Sequence, residues 1–176
     1  MRPMRAQVRQ ALFNVLAGDL ADGLVLDLFA GSGCLGIEAL SRGASRVVFV
    51  DRAPACLAAI ERNLETLGLS ERAEVRRHDL KLGVASLVGS QPFDLVIVHP
   101  PFELLGKGTP SQALDVAALL DSLAATPNLV TPETLVAFET PRDCYPDSDA
   151  ELPTLEVLRR KDYGTTTLFV AQVRGE

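Results

Sequence analysis

The chain has 176 residues, 47% hydrophobic and 23% charged, the composition of one globular domain with enough apolar residues to build its own core. A net charge of −6 argues against a protein that coats long nucleic acid with a uniformly basic face, and no apolar run reaches membrane-spanning length. Cys34, Cys56 and Cys144 lack C-x-x-C spacing and paired histidines, which argues against a disulfide framework or a zinc site and for a reducing cytoplasm.

Val8, Leu12, Val15 and Leu16 recur at helical spacing, so residues 1–20 are expected to form a helical segment ahead of a single domain spanning 1–176. After a loop from Gly18 to Gly23, Leu24 to Phe29 is apolar except for Asp27, as in a parallel strand covered on both faces. Gly31, Gly33 and Gly36 then spell G-x-G-x-x-G and open a helix from Cys34 to Arg42, stopped at Gly43. The next strand, Arg46 to Asp51, ends in an acid placed to accept hydrogen bonds from ribose hydroxyls. A glycine turn alone is weak evidence. Strand, glycine turn, helix, strand and terminal acid together point to a nucleotide-like cofactor.

Pro54 opens a helix whose Leu57, Ile60, Leu64 and Leu67 share a face before Gly68 closes it. A short strand from Ala73 to Arg77 precedes His78, Asp79 and a helical stretch expected to run to about Val88. Phe93 to Val98 is a fourth buried strand that runs into His99-Pro100-Pro101-Phe102, where two prolines stop the ladder. A loop holding Gly106 and Gly108 follows, expected to be mobile. Val116, Leu119, Leu120 and Leu123 mark another helix, and Thr134 to Glu139 a fifth strand. Pro141 to Pro153 is the expected ordered-to-mobile boundary. Leu155 to Lys161 and Thr166 to Val173 are strands joined too closely to be anything but antiparallel neighbours. The fold class is therefore α/β, a doubly wound, Rossmann-like, mostly parallel sheet with an antiparallel last strand.

With these motifs placed, the sequence resembles the class I S-adenosylmethionine-dependent methyltransferases, and within them the bacterial 16S rRNA guanine-N2 methyltransferase family. The matching pieces are R-P-x-x-x-x-V-R-x-A-L-F-N from Arg2 to Asn14, D-L-F-A-G-S-G from Asp27 to Gly33, L-G-I-E-A-L-S-R-G from Leu35 to Gly43, and Y-G-T-T-T-L from Tyr163 to Leu168. The resemblance implies S-adenosyl-L-methionine as cofactor, ribosomal RNA or a ribosomal particle as partner, and no metal or membrane. It implies that Phe29, Ala30, Gly31, Ser32 and Gly33 wrap the methionine end of the cofactor, with Asp27 behind them. Asp51, with Arg52 beside it, would hold the ribose, and Asp79 with Leu80 would meet the adenine. Asp27 and Asp79 also read as turn or helix-start acids with no ligand.

His99, Pro100, Pro101 and Phe102 sit where that family has Asp or Asn, then Pro-Pro, then an aromatic. Such a turn holds an exocyclic amine by a side-chain acceptor and a backbone carbonyl, fixes the carbonyl with proline, and stacks the base on the ring. His99 departs from the pattern. Its neutral imidazole offers one acceptor nitrogen, and its protonated form offers none. A local strand-end histidine is an equal reading of this residue, and His78 reads as surface or adenine-side packing.

Relatives of that family carry a basic β-hairpin ahead of the position matching Arg2, so part of the RNA-gripping surface is expected to be absent. Basic residues cluster locally at Arg2, Arg5 and Arg9, at Arg76 and Arg77, and at Arg159, Arg160 and Lys161, which solvated surface charge explains equally well. Two other functions stay open. A nicotinamide-dependent oxidoreductase would use the same glycines and Asp51, although no Tyr-x-x-x-Lys constellation is present. A non-catalytic cofactor-binding relative would have kept the fold and lost the acceptor at position 99.

Overall fold

A computed structural model describes residues 6–16, 20–101, 115–142 and 152–175. The alternating apolar runs become β1 (Leu24–Leu28), β2 (Arg46–Asp51), β3 (Ala73–Arg77), β4 (Leu95–Val98) and β5 (Leu135–Pro141), joined in parallel pairs. β6 (Leu155–Tyr163) and β7 (Thr166–Val173) complete a seven-stranded sheet ordered β3-β2-β1-β4-β5-β7-β6. The chain's last strand, β7, is antiparallel to both neighbours and lies inside the sheet, while β6 takes the edge. Gly164, at φ 64°, makes the tight turn between them.

Burial follows position in the sheet. Central β4 is buried at every residue, whereas the edge strands β3 and β6 carry half-buried and exposed charged residues. α1 (Ala6–Val15), α2 (Cys34–Ser41) and α3 (Pro54–Leu67) cover one face, where Leu12, Leu40 and Ile60 meet Val25, Val47 and Ile97. α4 (Val116–Ala125) covers the other, packing Leu119, Leu120 and Leu123 in one cluster with Leu26, Val96 and Phe138.

Sequence and structure differ in a few places. The stretch after Asp79 is not an α-helix but two 3₁₀ turns, Leu80–Leu82 and Ala85–Leu87. Gly83 separates them at φ 88°, a backbone state that no helix contains. Leu67, expected on the buried face of its helix, is exposed in the last turn of α3 next to the Gly68 cap. Phe13, which the helical spacing passed over, is buried, with the Arg42 guanidinium 5.3 Å from its ring centroid. Phe102, the loop with Gly106 and Gly108, and most of the Pro141 to Pro153 stretch lie outside the described residues.

Strand order reverses between β1 and β4, since β1 leads outward to β2 and β3 while β4 and β5 build the other half. A cleft beyond the carboxyl ends of these two strands is where such sheets take ligands. His99, Pro100 and Pro101 follow β4 directly into that region.

Candidate functional site

β1 ends one residue earlier than its apolar run. Phe29 takes φ 60°, a left-handed conformation that is uncommon outside glycine, and so turns the chain away from the sheet. Gly31 and Gly33 follow at φ 59° and 80°, and Gly33 caps α2. Gly36 serves packing, because a Cβ there would collide with the ring of Phe49 and with Val47, so only glycine lets α2 lie this close to β2. Asn63 on α3 donates to the Ser32 carbonyl at 2.9 Å and ties the turn from the far side.

The turn, the first half of α3 and His99 enclose a cleft of about 400 Å³. Of the residues expected around the methionine end of a cofactor, Phe29, Ala30, Gly31 and Ser32 line it, and Gly33 caps the helix behind. Cys56 and Ala59 of α3 line it as well. Burial pushes the Cys34 and Cys56 thiols up from their ordinary range, with nearby Asp27 and Asp51 respectively adding to the rise.

Two acids underlie the cleft. Asp51 accepts from the Gly31 N–H and the Ala53 N–H, both at 2.9 Å, and so joins the glycine turn to the start of α3. Asp27 is 1% exposed and accepts from the Gly36 N–H at 2.9 Å through Oδ2. Its Oδ1 is buried with no hydrogen-bond partner among the described residues. Burial pushes this carboxyl up to about 7; the Gly36 N–H and His99 act against the rise and Asp51 adds to it.

A second cavity, about 530 Å³, lies beyond Asp51 and is lined by Arg52, Ala53, His78 and Asp79. Asp79 caps a 3₁₀ turn by accepting from the Lys81 N–H at 3.1 Å, and its carboxylate is 3.8 Å from the Arg52 guanidinium. Leu80 points into the core, and Leu82 lines the cavity in its place. His78 is held by the Gly83 carbonyl at 2.7 Å.

His99 is 9% exposed, and its Nε2 lies 3.1 Å from Oε2 of Glu139, which is 3% exposed. Sequence reasoning passed over Glu139. An acid does end the apolar run Leu135 to Phe138, as Asp51 ends β2, but nothing in that run says that it meets His99. Whenever the ring is neutral, a hydrogen on Nε2 donated to Glu139 selects the tautomer in which Nδ1 carries the acceptor lone pair. Among the described residues no cluster of His, Cys, Asp and Glu could hold a metal ion, and no helix is long and apolar enough to cross a membrane.

Comparison with known proteins gives the family and the fold. Residues 1–172 match the model of a family described as Conserved hypothetical protein 95. The Bacillus subtilis protein YlbH is 33% identical over 179 residues, covering 99% of this chain and 89% of its own length. Ribosomal RNA small subunit methyltransferase D of Haemophilus influenzae is 35% identical over 145 residues, covering 81% of this chain and 69% of that protein. The solved RNA methyltransferase of Salinibacter ruber, in complex with S-adenosyl-L-homocysteine, superposes with a TM-score of 0.70 at 16% identity, covering 99% of this chain and 95% of that one. The chain belongs to the Conserved hypothetical protein 95 family and has the fold of the S-adenosylmethionine-dependent methyltransferases.

Proposed function

We propose that this chain works as a single domain that transfers a methyl group from S-adenosyl-L-methionine to the exocyclic N2 amine of a guanine in 16S ribosomal RNA. The observation that carries the reading is the position of His99-Pro100-Pro101 at the end of β4, with His99 lining the same cleft as the glycine turn. A glycine turn alone would suit many nucleotides. A proline-fixed turn that begins at a cleft-lining His99 suits a planar amine.

The residues fit the cofactor. The unpartnered, buried Oδ1 of Asp27 suits a cation such as the ammonium of an amino acid, and the open turn at Phe29 to Gly33 leaves room for that end of the molecule. Asp51 is the acid for the ribose hydroxyls, each of its oxygens keeping acceptor capacity beyond its one backbone N–H. The second cavity, lined by Arg52, His78 and Asp79, receives the adenine. When bound, S-adenosylmethionine supplies an electrophilic methyl carried on a sulfonium.

The protein's own task is positioning. His99 and the backbone carbonyl of Pro100 accept the hydrogens of the target amine, turning its lone pair toward the methyl, and the prolines fix the carbonyl direction. Phe102, which the sequence places next in the motif, stacks on the base. The family's usual acid or amide at position 99 is replaced here by a relay: Glu139 stands one strand away and acts through the imidazole. Names of relatives support the RNA class of substrate, since the Haemophilus influenzae protein is named for the small ribosomal subunit.

The test is methyl transfer from labelled S-adenosylmethionine to 16S rRNA and to small ribosomal subunits, followed by digestion to nucleosides. Label in N2-methylguanosine is the expected result. Label in another nucleoside or in protein overturns the substrate, and S-adenosylhomocysteine binding without any transfer overturns catalysis.

A further inference from the structure

On the α1 face of the sheet, a groove of about 520 Å³ runs between α1 and the outer strands β6 and β7. Its walls carry Asn14 from α1 and Arg159, Arg160, Lys161 and Tyr163 from β6, and none of the described residues lining it is acidic. The three consecutive cations are exposed, on a chain whose net charge is −6. Strand alternation sorts them. Arg159 pairs with Val170 and Lys161 with Leu168, and both partners belong to the core packed under α1, so Arg159 and Lys161 face the groove. Lys161 Nζ sits 5.5 Å from the ring centroid of Tyr163. Asp162 falls on the opposite face, where it pairs with Arg142 at 3.1 Å and accepts from the Thr167 hydroxyl at 2.7 Å.

Register connects this groove with the candidate methylation site. Lys161 pairs with Leu168, and Leu168 with Glu139, which holds His99. Lys161 and Glu139 therefore share one row and one face of the sheet, two strands or roughly 10 Å apart. We propose that the groove binds the phosphodiester backbone of the RNA substrate, with Arg159 and Lys161 on phosphates and Tyr163 as a stacking ring beside them. This inference rests on the reading of the His99 site as an RNA methylation site, and it names the surface by which that substrate is held. Guanidinium and ammonium groups in a groove with no acid among its described lining residues complement a chain of phosphates. Charge on an edge strand also blocks pairing between sheets, but acids serve that purpose equally, and the charged residues of β6 that line the groove are all cations.

The experiment compares the full chain with the double variant Arg159→Gln, Lys161→Gln, using a fluorescein-labelled 16S rRNA transcript as probe and fluorescence anisotropy across a salt series. The variant should bind roughly tenfold more weakly at low salt, and its slope of log affinity against log salt should be shallower by roughly 1.5 to 2. Its affinity for S-adenosylhomocysteine by calorimetry and its melting temperature should match the wild type. The charge-retaining double variant Arg159→Lys, Lys161→Arg should recover RNA affinity. Wild-type RNA affinity and salt slope in the Gln variant overturn the groove, as does aggregation as its sole defect, which would mark edge protection. Equal loss of binding to phosphatidylglycerol vesicles, with RNA affinity kept, overturns it in favour of a membrane surface. If the wild type binds the transcript through these residues but transfers no methyl, the groove stands and the reading of the His99 site falls; if the Gln variant methylates RNA with unchanged KM, the reverse holds.

Discussion

Glu139 and His99 join the carboxyl ends of two adjacent parallel strands through a contact of 3.1 Å, both side chains buried under the cleft. A buried imidazole whose Nε2 is committed to a carboxylate has a fixed ring plane and a fixed tautomer. Removing Glu139 leaves that nitrogen without this partner, at a stability cost of about 1–3 kcal/mol. Glu139→Ala is expected to lower kcat for methyl transfer by roughly 10- to 100-fold through misplacement of the amine, while S-adenosylhomocysteine affinity stays level. Glu139→Gln retains an acceptor and should recover part of the rate. An unchanged kcat in Glu139→Ala would remove the pair from the reaction.

Substitution at position 99 separates the sequence argument from the structural one. From the family pattern alone, His99→Asp restores the usual acceptor. In this site it would set a second carboxylate against Glu139, with Asp27 close by, and two carboxylates sharing a buried site do not both ionise. His99→Asn supplies the neutral acceptor without the repulsion. Methyl-transfer rates are therefore expected in the order His99→Asn above His99→Asp, with His99→Ala inactive, and all three should bind S-adenosylhomocysteine. A faster Asp than Asn variant would show that Glu139 does not constrain the site.

The fold was legible because its signals are local and repeated. Buried runs such as Leu95 to Val98, the glycine stops at Gly43 and Gly68, and the short β6–β7 turn each follow from a few adjacent residues. Two features were not legible. The break after Leu82 depends on the backbone state of one glycine, which the apolar spacing of Leu80, Val84 and Leu87 hides behind a helical pattern. The His99–Glu139 contact joins residues 40 positions apart, brought together by the parallel pairing of β4 with β5. A site residue of this kind is a property of strand order, and no motif at Glu139 announces it.

Asp51 is both a structural tie and the candidate ribose ligand, and the two roles have different signatures. Asp51→Ala removes the acceptor for the Gly31 and Ala53 N–H groups, so it should lower the melting temperature as well as weaken S-adenosylhomocysteine binding by about 1–3 kcal/mol. Adenine analogues lacking ribose hydroxyls distinguish the roles. If the wild type and the Ala variant lose equal affinity on removal of those hydroxyls, Asp51 ties the turn and does not touch the ribose.

Gly36 is expected to tolerate no side chain. A Cβ there meets the Phe49 ring and Val47, both in the core under α2, and overpacking of this kind typically costs about 1–3 kcal/mol. Gly36→Ala with Phe49→Leu should recover stability over Gly36→Ala alone in chemical denaturation. Additive losses in the double variant would mean that the glycine is needed for its backbone rather than for the room it leaves.

Asp27 gives the pH dependence. Burial raises its carboxyl from an ordinary 3.8 to about 7, so between these limits the folded chain holds a proton that the unfolded chain has released. Stability from this group is therefore present at the acid end and falls as pH rises from about 4 to about 7, then levels off. An ammonium placed against Oδ1 reverses the preference, because a cation beside a carboxylate favours its ionised form. Binding of S-adenosylhomocysteine near pH 6 should then release a proton from Asp27, and affinity should climb with pH until about 7. Calorimetric titrations in two buffers of different ionisation enthalpy measure that proton directly. Asp27→Asn keeps an acceptor for the Gly36 N–H but has no proton to lose, so it should abolish both the release and the pH slope of affinity. Proton release of the same size in wild type and variant would assign it elsewhere and take Asp27 out of the cofactor site.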